Sequence, residues 1–100
     1  MPHVVGFDPQ AVDDLDGIRA YERRAILDTV NRILTTTPTR LGKSRIKRLR
    51  GTDSPEYRLR VGEFRVFYDV HEDEVYILRV LSKAATERYL KEFRDDAEDD

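Results

Sequence analysis

The chain has 100 residues, of which 39% are hydrophobic and 38% are charged, a composition typical of one small globular domain with a single modest core. It has no cysteine, which excludes disulfides, thiolate metal sites and cysteine nucleophiles. The formal net charge is −2, but residues 40–68 hold nine Lys or Arg and three Asp or Glu, a local net charge of +6, whereas residues 95–100 hold five acids and no base. Local fields of this size, rather than the total charge, determine where a polyanion binds.

The sequence predicts neither a membrane span nor a secretion signal. Its longest apolar run, residues 75–81, is short and contains Arg79. The start of the chain has neither a charged segment nor a long apolar one. We therefore expect a cytoplasmic protein.

The first half of the chain predicts a strand followed by two helices. Residues 2–7 favour a short strand, and Asp8 followed by Pro9 is a helix-start signal. The first helix is interrupted at Gly17, and a longer second helix ends before Pro38. The second helix has an apolar stripe at helical spacing, which consists of Ile18, Tyr21, Ala25, Ile26, Val30, Ile33 and Leu34.

The second half predicts a basic loop, three strands and a final helix. Residues 38–55 show little periodicity, and strands follow over residues 57–61, 64–70 and 75–81. A helix is expected over residues 84–94, which closes a domain spanning residues 1–94. The acidic residues 95–100 are predicted to be a disordered tail. The order β-α-α-β-β-β-α indicates an α+β fold, in which a helix pair covers one face of a mostly antiparallel sheet and leaves the other face available.

The first two of these three strands predict a cluster of arginines. With Gly62 and Glu63 as a two-residue hairpin loop, Arg60 lies opposite Arg65. One face of the hairpin is then apolar and belongs to the core. The other face carries Arg58, Arg60, Arg65 and Phe67.

Like charges directly across a strand pair destabilise it by about 0.2–1 kcal/mol, so this hairpin is locally frustrated unless an anion completes the site. The alternative is a solvated outer face with its arginines extended into water. An aromatic side chain beside the arginines favours nucleic acid, because it would add base stacking to phosphate contacts. The candidate RNA-binding residues are therefore Phe67 and the basic side chains of the preceding loop, namely Lys43, Arg45, Lys47, Arg48 and Arg50.

Three segments together resemble the RelE/ParE superfamily of type II toxins, and in particular its RelE-like branch. They are residues 49–51 (LRG), 57–68 (YRLRVGEFRVFY) and 75–80 (VYILRV). The resemblance covers almost the whole chain and implies the fold described above. It also implies a metal-independent endoribonuclease that needs no cofactor, cuts mRNA at the ribosome to inhibit translation, and is held inactive by a cognate antitoxin protein.

The resemblance also implies catalytic roles. RelE-like enzymes activate a ribose 2′-hydroxyl against the adjacent phosphate, which requires a base, an acid and positive charge at phosphorus. Arg58 and Arg60 match the basic pair in the family's base region, and Arg65 matches the arginine that stabilises the transition state. Lys83 matches the family's acid, and Tyr89 matches the tyrosine that stacks on a base or orients the hydroxyl.

Two departures from the family pattern affect these roles. Arg58 and Arg60 stand where lysines are usual, and arginine is a poor proton acceptor because it stays charged. Lys83 stands where arginine is usual. The sequence also leaves open whether Arg79 joins the active face or pairs with an acid.

Two other functions remain open from the sequence. The same fold in the ParE branch is a binding module that poisons DNA gyrase without nuclease chemistry. A degenerate, non-toxic relative is the third possibility, favoured by the overall acidity and by the missing lysines.

Overall fold

The computed structural model describes residues 2–42 and 45–92. In chain order the elements are β1 (Val4–Phe7), α1 (Pro9–Asp16), α2 (Ala20–Thr29), β2 (Ile46–Arg48), β3 (Tyr57–Val61), β4 (Phe64–His71), β5 (Glu74–Ser82) and α3 (Lys83–Lys91). Helix α2 continues into a π-helical turn over Val30–Leu34. Within the described ranges, no helix is long and apolar enough to cross a membrane. The predicted tail at 95–100, and Lys43 of the predicted loop, lie outside them.

The strands form one sheet in the order β1-β5-β4-β3-β2. Strand β1 runs parallel to β5, and the other neighbouring pairs are antiparallel. The predicted α+β class with a mostly antiparallel sheet is therefore confirmed.

The start of α1 forms as the sequence predicts. Asp8 is the N-cap, and its carboxylate accepts a hydrogen bond from the backbone N–H of Gln10 at 2.9 Å. Pro9 occupies the first helical position, where the absence of a backbone N–H costs nothing. The predicted stripe of the second helix is wrong at Tyr21, whose side chain is 61% exposed, and at Ala25, which is also exposed. Burial on this helix begins at Ile26.

The predicted loop over residues 38–55 contains a strand that the sequence analysis missed. Strand β2 pairs with β3, and its Ile46 is buried opposite Leu59. The strand has three residues, and the other two, Lys47 and Arg48, are basic and exposed. A pattern of that length contains too few alternations to indicate a strand.

The hairpin between β3 and β4 has the predicted register. Val61 pairs with Phe64, and Arg60 pairs with Arg65. Gly62 has a φ of +58°, in the left-handed region that glycine adopts without steric cost. This register places alternate side chains of both strands on the same face, which positions the candidate site.

The face of the sheet toward α1 and α2, here called the core face, holds the main hydrophobic core. Leu59, Val66, Tyr68 and Ile77 of the sheet are each 0% exposed. They pack with helix residues that include Ala11, Leu15, Ile26, Val30 and Leu34. The Tyr68 hydroxyl donates a buried hydrogen bond to the carbonyl of Pro38 at 2.7 Å, so the core leaves this polar group satisfied.

The sequence predicts that the opposite face is available, but the structure shows that part of it is covered. Helix α3 packs against this face, and a second, smaller hydrophobic cluster forms there from Leu49, Phe67, Leu81 and Tyr89. The final helix is thus a cover for part of the face. The arginines of β3 and of the hairpin lie on the remainder.

Candidate nucleic-acid interface

Four basic side chains form two cross-strand pairs on the face opposite the core. Lys47 of β2 lies opposite Arg58 of β3, and Arg60 lies opposite Arg65 of β4. We call Lys47, Arg58, Arg60 and Arg65 the basic face. Among residues 2–42 and 45–92, the one salt bridge joins Arg79 to Asp14. In this part of the chain, no ion pair therefore neutralises the basic face.

Arg58 lies at the most enclosed point of the basic face. Its side chain is half-buried, and its Nε is a buried donor without a hydrogen-bond partner among the described residues. Burial lowers the pKa of the Arg58 guanidinium, and the charges of Arg65 and Arg60 lower it further. An anion beside this group would offset both effects, because it would accept the free N–H and oppose the repulsion.

Arg65 is held at the hairpin by its own backbone. Its Nη1 donates to the carbonyls of Gly62 and Phe64, each at 3.0 Å. Burial and then the charge of Arg60 lower the pKa of the Arg65 guanidinium, while the nearby Glu63 carboxylate acts in the opposite direction. Arg60 is exposed, so the two cross-strand arginines present one fixed and one adaptable cation.

Lys83 stands close to the hairpin, at the start of α3. Its backbone N–H donates to the carbonyl of Glu63 at 2.8 Å, and its side chain is exposed. Ser82 caps the helix by accepting from the N–H of Ala85 at 3.1 Å. The partial positive charge of the helix N-terminus therefore adds to the positive field at this end of the sheet.

Tyr89 is buried rather than presented to solvent. Its side chain is 9% exposed, and its ring centroid lies 5.0 Å from that of Phe67 with the rings tilted by 53°. Burial raises the pKa of Tyr89 to about 12, and the neighbouring Arg79 guanidinium opposes this rise. In this conformation the ring supports α3 and does not offer an open surface for stacking.

The expectation that Phe67 stacks on a nucleic-acid base is wrong for this structure. Phe67 does share the face of Arg58, its cross-strand partner, but it is 0% exposed. Leu49, Leu81 and Tyr89 cover its ring. Strand alternation places a side chain on a face, but it does not predict which later segment covers that face.

The side chains of the remaining predicted RNA-binding residues do not all point toward the basic face. Arg45 donates from Nη1 to the carbonyl of Arg60 at 3.2 Å and so adjoins the basic face. Arg48 turns to the other side, where its guanidinium lies 5.3 Å from the ring centroid of Tyr57. Arg50 is exposed in the segment after β2.

Arg79, whose role the sequence leaves open, pairs with an acid in the structure. The Arg79 Nε and Nη2 donate to the two carboxylate oxygens of Asp14 at 2.8 Å and 3.0 Å. Its guanidinium also lies 5.5 Å from the ring centroid of Tyr89. Asp14 precedes Arg79 by 65 residues, so no local sequence pattern connects them.

Comparison with known proteins agrees with the fold. The model of a family described as the ParE toxin of type II toxin-antitoxin systems, parDE, matches residues 5–87. No curated protein matches the chain.

Solved structures similar to this chain include toxin–antitoxin complexes. The RelBE2 complex of Mycobacterium tuberculosis contains a chain with 26% identity and a TM-score of 0.70, covering 82% of this chain and 99% of that one. The RelE–RelB complex of Pyrococcus horikoshii gives 28% identity and a TM-score of 0.67, covering 83% and 97%. A variant of E. coli RelE in the free state shares the fold at 18% identity and a TM-score of 0.60, covering 90% and 93%.

Proposed function

We propose that this chain, which belongs to the ParE toxin family of type II toxin–antitoxin systems and so to the RelE/ParE superfamily, inhibits translation by cutting mRNA at the ribosome. The observation that carries the proposal is the basic face, where Arg58, Arg60 and Arg65 lie together without an acidic partner among the described residues. Two of these guanidiniums have pKa values lowered by burial and mutual repulsion, a state that a phosphate would relieve. The proposed enzyme acts in the cytoplasm, where ribosomes are.

In the proposed reaction the three arginines bind the phosphodiester group whose bond to the 5′-oxygen is cut. The ribose 2′-oxygen forms a bond to phosphorus while the bond from phosphorus to the 5′-oxygen breaks. Negative charge increases on the phosphoryl oxygens in the transition state, and preorganised guanidiniums stabilise that charge. Arg65 suits this role because two backbone carbonyls already hold it in place.

The proton transfers follow from the chemistry of the residues present. Arginine is a poor proton acceptor, so Arg58 and Arg60 orient the 2′-hydroxyl and stabilise its developing charge, and the proton of that hydroxyl passes to solvent water. Lys83, whose ammonium group is exposed beside the hairpin, donates a proton to the departing 5′-oxygen. This division gives the arginines an electrostatic role and gives the lysine the acid role.

The proposed partner in the resting state is an antitoxin. The similar chains from M. tuberculosis and P. horikoshii were solved as toxin–antitoxin complexes. An antitoxin segment that places carboxylates against Arg60 and Arg65 would neutralise the basic face and exclude RNA from it. This arrangement would account for a toxin that retains uncompensated arginines in its free form.

The gyrase-inhibiting function of the ParE branch is the second candidate, and the burial of the aromatic rings favours it. Phe67 and Tyr89 are 0% and 9% exposed, so neither ring is open for stacking on a base in the free protein. A binding module for DNA gyrase would need no such ring. The two candidates predict different targets in a cell.

The test is to induce the toxin without an antitoxin and to map mRNA 5′ ends in stalled ribosomes. The proposal predicts new ends inside coding regions, lost in Arg65→Ala and kept in Arg24→Ala, which removes an exposed arginine from α2. DNA breaks with continued protein synthesis would instead establish the gyrase candidate. Cleavage that persists unchanged in a folded Arg65→Ala protein, or normal growth with a folded wild-type protein, would refute the proposed nuclease.

A further inference from the structure

Asp14 is the centre of a set of polar contacts that joins α1 to the far side of the sheet. Its carboxylate accepts two hydrogen bonds from Arg79 and a third from the backbone N–H of Val80 at 2.9 Å. Strand β1 pairs with β5 only as far as Ile77, so Asp14 satisfies a backbone donor that the neighbouring strand leaves unpaired. Three donors fix the carboxylate, and the carboxylate in turn fixes the guanidinium of Arg79.

The fixed guanidinium bears directly on α3. It lies 5.5 Å from the ring centroid of Tyr89, within the range of a cation–π interaction. The two hydrogen bonds to Asp14 hold the Arg79 guanidinium beneath the ring and also raise its pKa. Tyr89 is the buried residue of α3, and it packs with the partly buried Ala85 and Leu90 on the cluster that joins this helix to the sheet.

The same contacts reach the basic face. In the sheet Phe67 lies between Arg58 on one side and Arg79 on the other. The Tyr89 ring packs on Phe67 while it covers Arg79. At the other end of α3, Lys83 adjoins the hairpin of Arg65 through its bond to Glu63. Because Lys83 is the first residue of α3, a displacement of the helix would redirect the Lys83 side chain relative to the arginines while its backbone N–H stays bonded to Glu63.

We propose that Asp14 and Arg79 are positioning residues for the toxin's site, holding α3 through Tyr89 so that Lys83 stands beside the phosphate bound by Arg58, Arg60 and Arg65. Neither residue contacts the RNA. The inference rests on the proposed nuclease function for its catalytic consequence. Its structural half, the docking of α3 by the ion pair, is independent of that function.

The structural half is tested by hydrogen exchange in the intact chain. Asp14→Asn removes the charge with little change of shape, and Arg79→Lys keeps the charge but loses the two-pronged geometry. We expect amides of residues 86–91 to exchange about tenfold faster in both variants, while those of β4 stay protected, since local opening of one element leaves the rest intact.

Tyr76→Phe is the matched control. The Tyr76 hydroxyl donates to Asp8 at 3.0 Å, which also joins β5 to the start of α1, whereas the ring of Tyr89 contacts Phe67 and Arg79. We expect exchange in α3 to be unchanged in this variant. Equal exchange in Asp14→Asn, Arg79→Lys and wild type would overturn the proposal whatever the activity of the protein, and so would equal acceleration in Tyr76→Phe.

The catalytic half is tested by separating kcat from KM for cleavage of ribosome-bound mRNA. A displacement of about 1 Å in a catalytic group can cost about 100-fold in rate, so we expect kcat to fall 10- to 100-fold in Asp14→Asn while KM changes less than about threefold.

The Lys83→Arg change should alter the pH dependence of kcat when it is made in the wild-type protein. It should alter that dependence much less when it is made in Asp14→Asn, where the side chain at position 83 is already misplaced. A rise in KM alone would contradict the positioning role, and full kcat with a loosened α3 would also contradict it. Variants that loosen α3 as predicted, together with a wild-type protein that never cleaves mRNA, would refute the nuclease and leave the docking of α3 intact.

Discussion

The two faces of the sheet differ in burial and charge, although the same strands form them. On the core face Leu59 and Val66 are both 0% exposed and pack against helices. At adjacent positions of the same strands, Arg58, Arg60 and Arg65 place like charges together, with no acid to pair them among the described residues. The difference teaches that the core face specifies the fold, whereas the basic face carries electrostatic strain that only a partner can relieve.

Truncation on the core face should have the largest effect on stability. Leu59→Ala removes a fully buried side chain from the middle of the sheet, where the cavity cannot readily collapse. We expect the free energy of unfolding to fall by about 2–5 kcal/mol, measured by urea denaturation with the slope m unchanged. A loss below about 1 kcal/mol would show that this face is less tightly packed than the structure indicates.

Alkaline pH should weaken the folded state through the buried tyrosines on both faces. Burial raises the pKa of Tyr89 to about 12 and raises that of Tyr68 as well, from a usual value of 10.0. Between pH 10 and about 12 the native state keeps the Tyr89 proton that the unfolded chain has released, so stability should fall as the pH rises through this interval.

The variants Tyr89→Phe and Tyr68→Phe separate the two contributions to alkaline unfolding. Each removes one ionisable hydroxyl and should make the fall of unfolding free energy over pH 10–12 shallower than in wild type. Tyr68→Phe also loses its bond to Pro38, so its stability at neutral pH should be lower by about 1–3 kcal/mol. Slopes identical to wild type in both variants would contradict the burial of these rings.

Removal of a charge from the basic face should have the smallest effect on stability, and of the opposite sign. Arg60→Ala relieves the repulsion on Arg58 and Arg65 and should raise the free energy of unfolding by about 0.2–1 kcal/mol at low salt. The gain should shrink when salt screens the charges. Arg24→Ala on α2 serves as the control, and an equal gain there would attribute the effect to net charge alone.

How far the sequence predicts the molecule depends on the range of the interactions involved. The Asp8–Pro9 helix start and the Gly62 hairpin are set by residues next to one another, and both were predicted correctly. Strand β2 was missed because its register comes from pairing with β3. The cover over Phe67 was missed because α3 and Leu49 reach it from distant parts of the chain.

The candidate site shows the same division. Alternation along β3 and β4 was enough to place Arg58, Arg60 and Arg65 on one face. Alternation gave no sign that Asp14 would hold Arg79 beneath Tyr89, since that contact requires α1, β5 and α3 together. The local sequence thus determines which side chains share a face of a strand. The contacts that hold those side chains in place come from distant parts of the chain.

The most direct test of the central claim is the salt dependence of binding to a single-stranded RNA that carries non-cleavable 2′-deoxy positions. Each phosphate contact that is lost should reduce the slope of log K against log salt by about 0.7. The account predicts that Arg60→Ala and Arg65→Ala each weaken binding and lower the slope by that amount, whereas Arg24→Ala leaves both unchanged. Wild-type affinity and slope in folded Arg60→Ala and Arg65→Ala proteins would contradict the claim that the basic face binds phosphate.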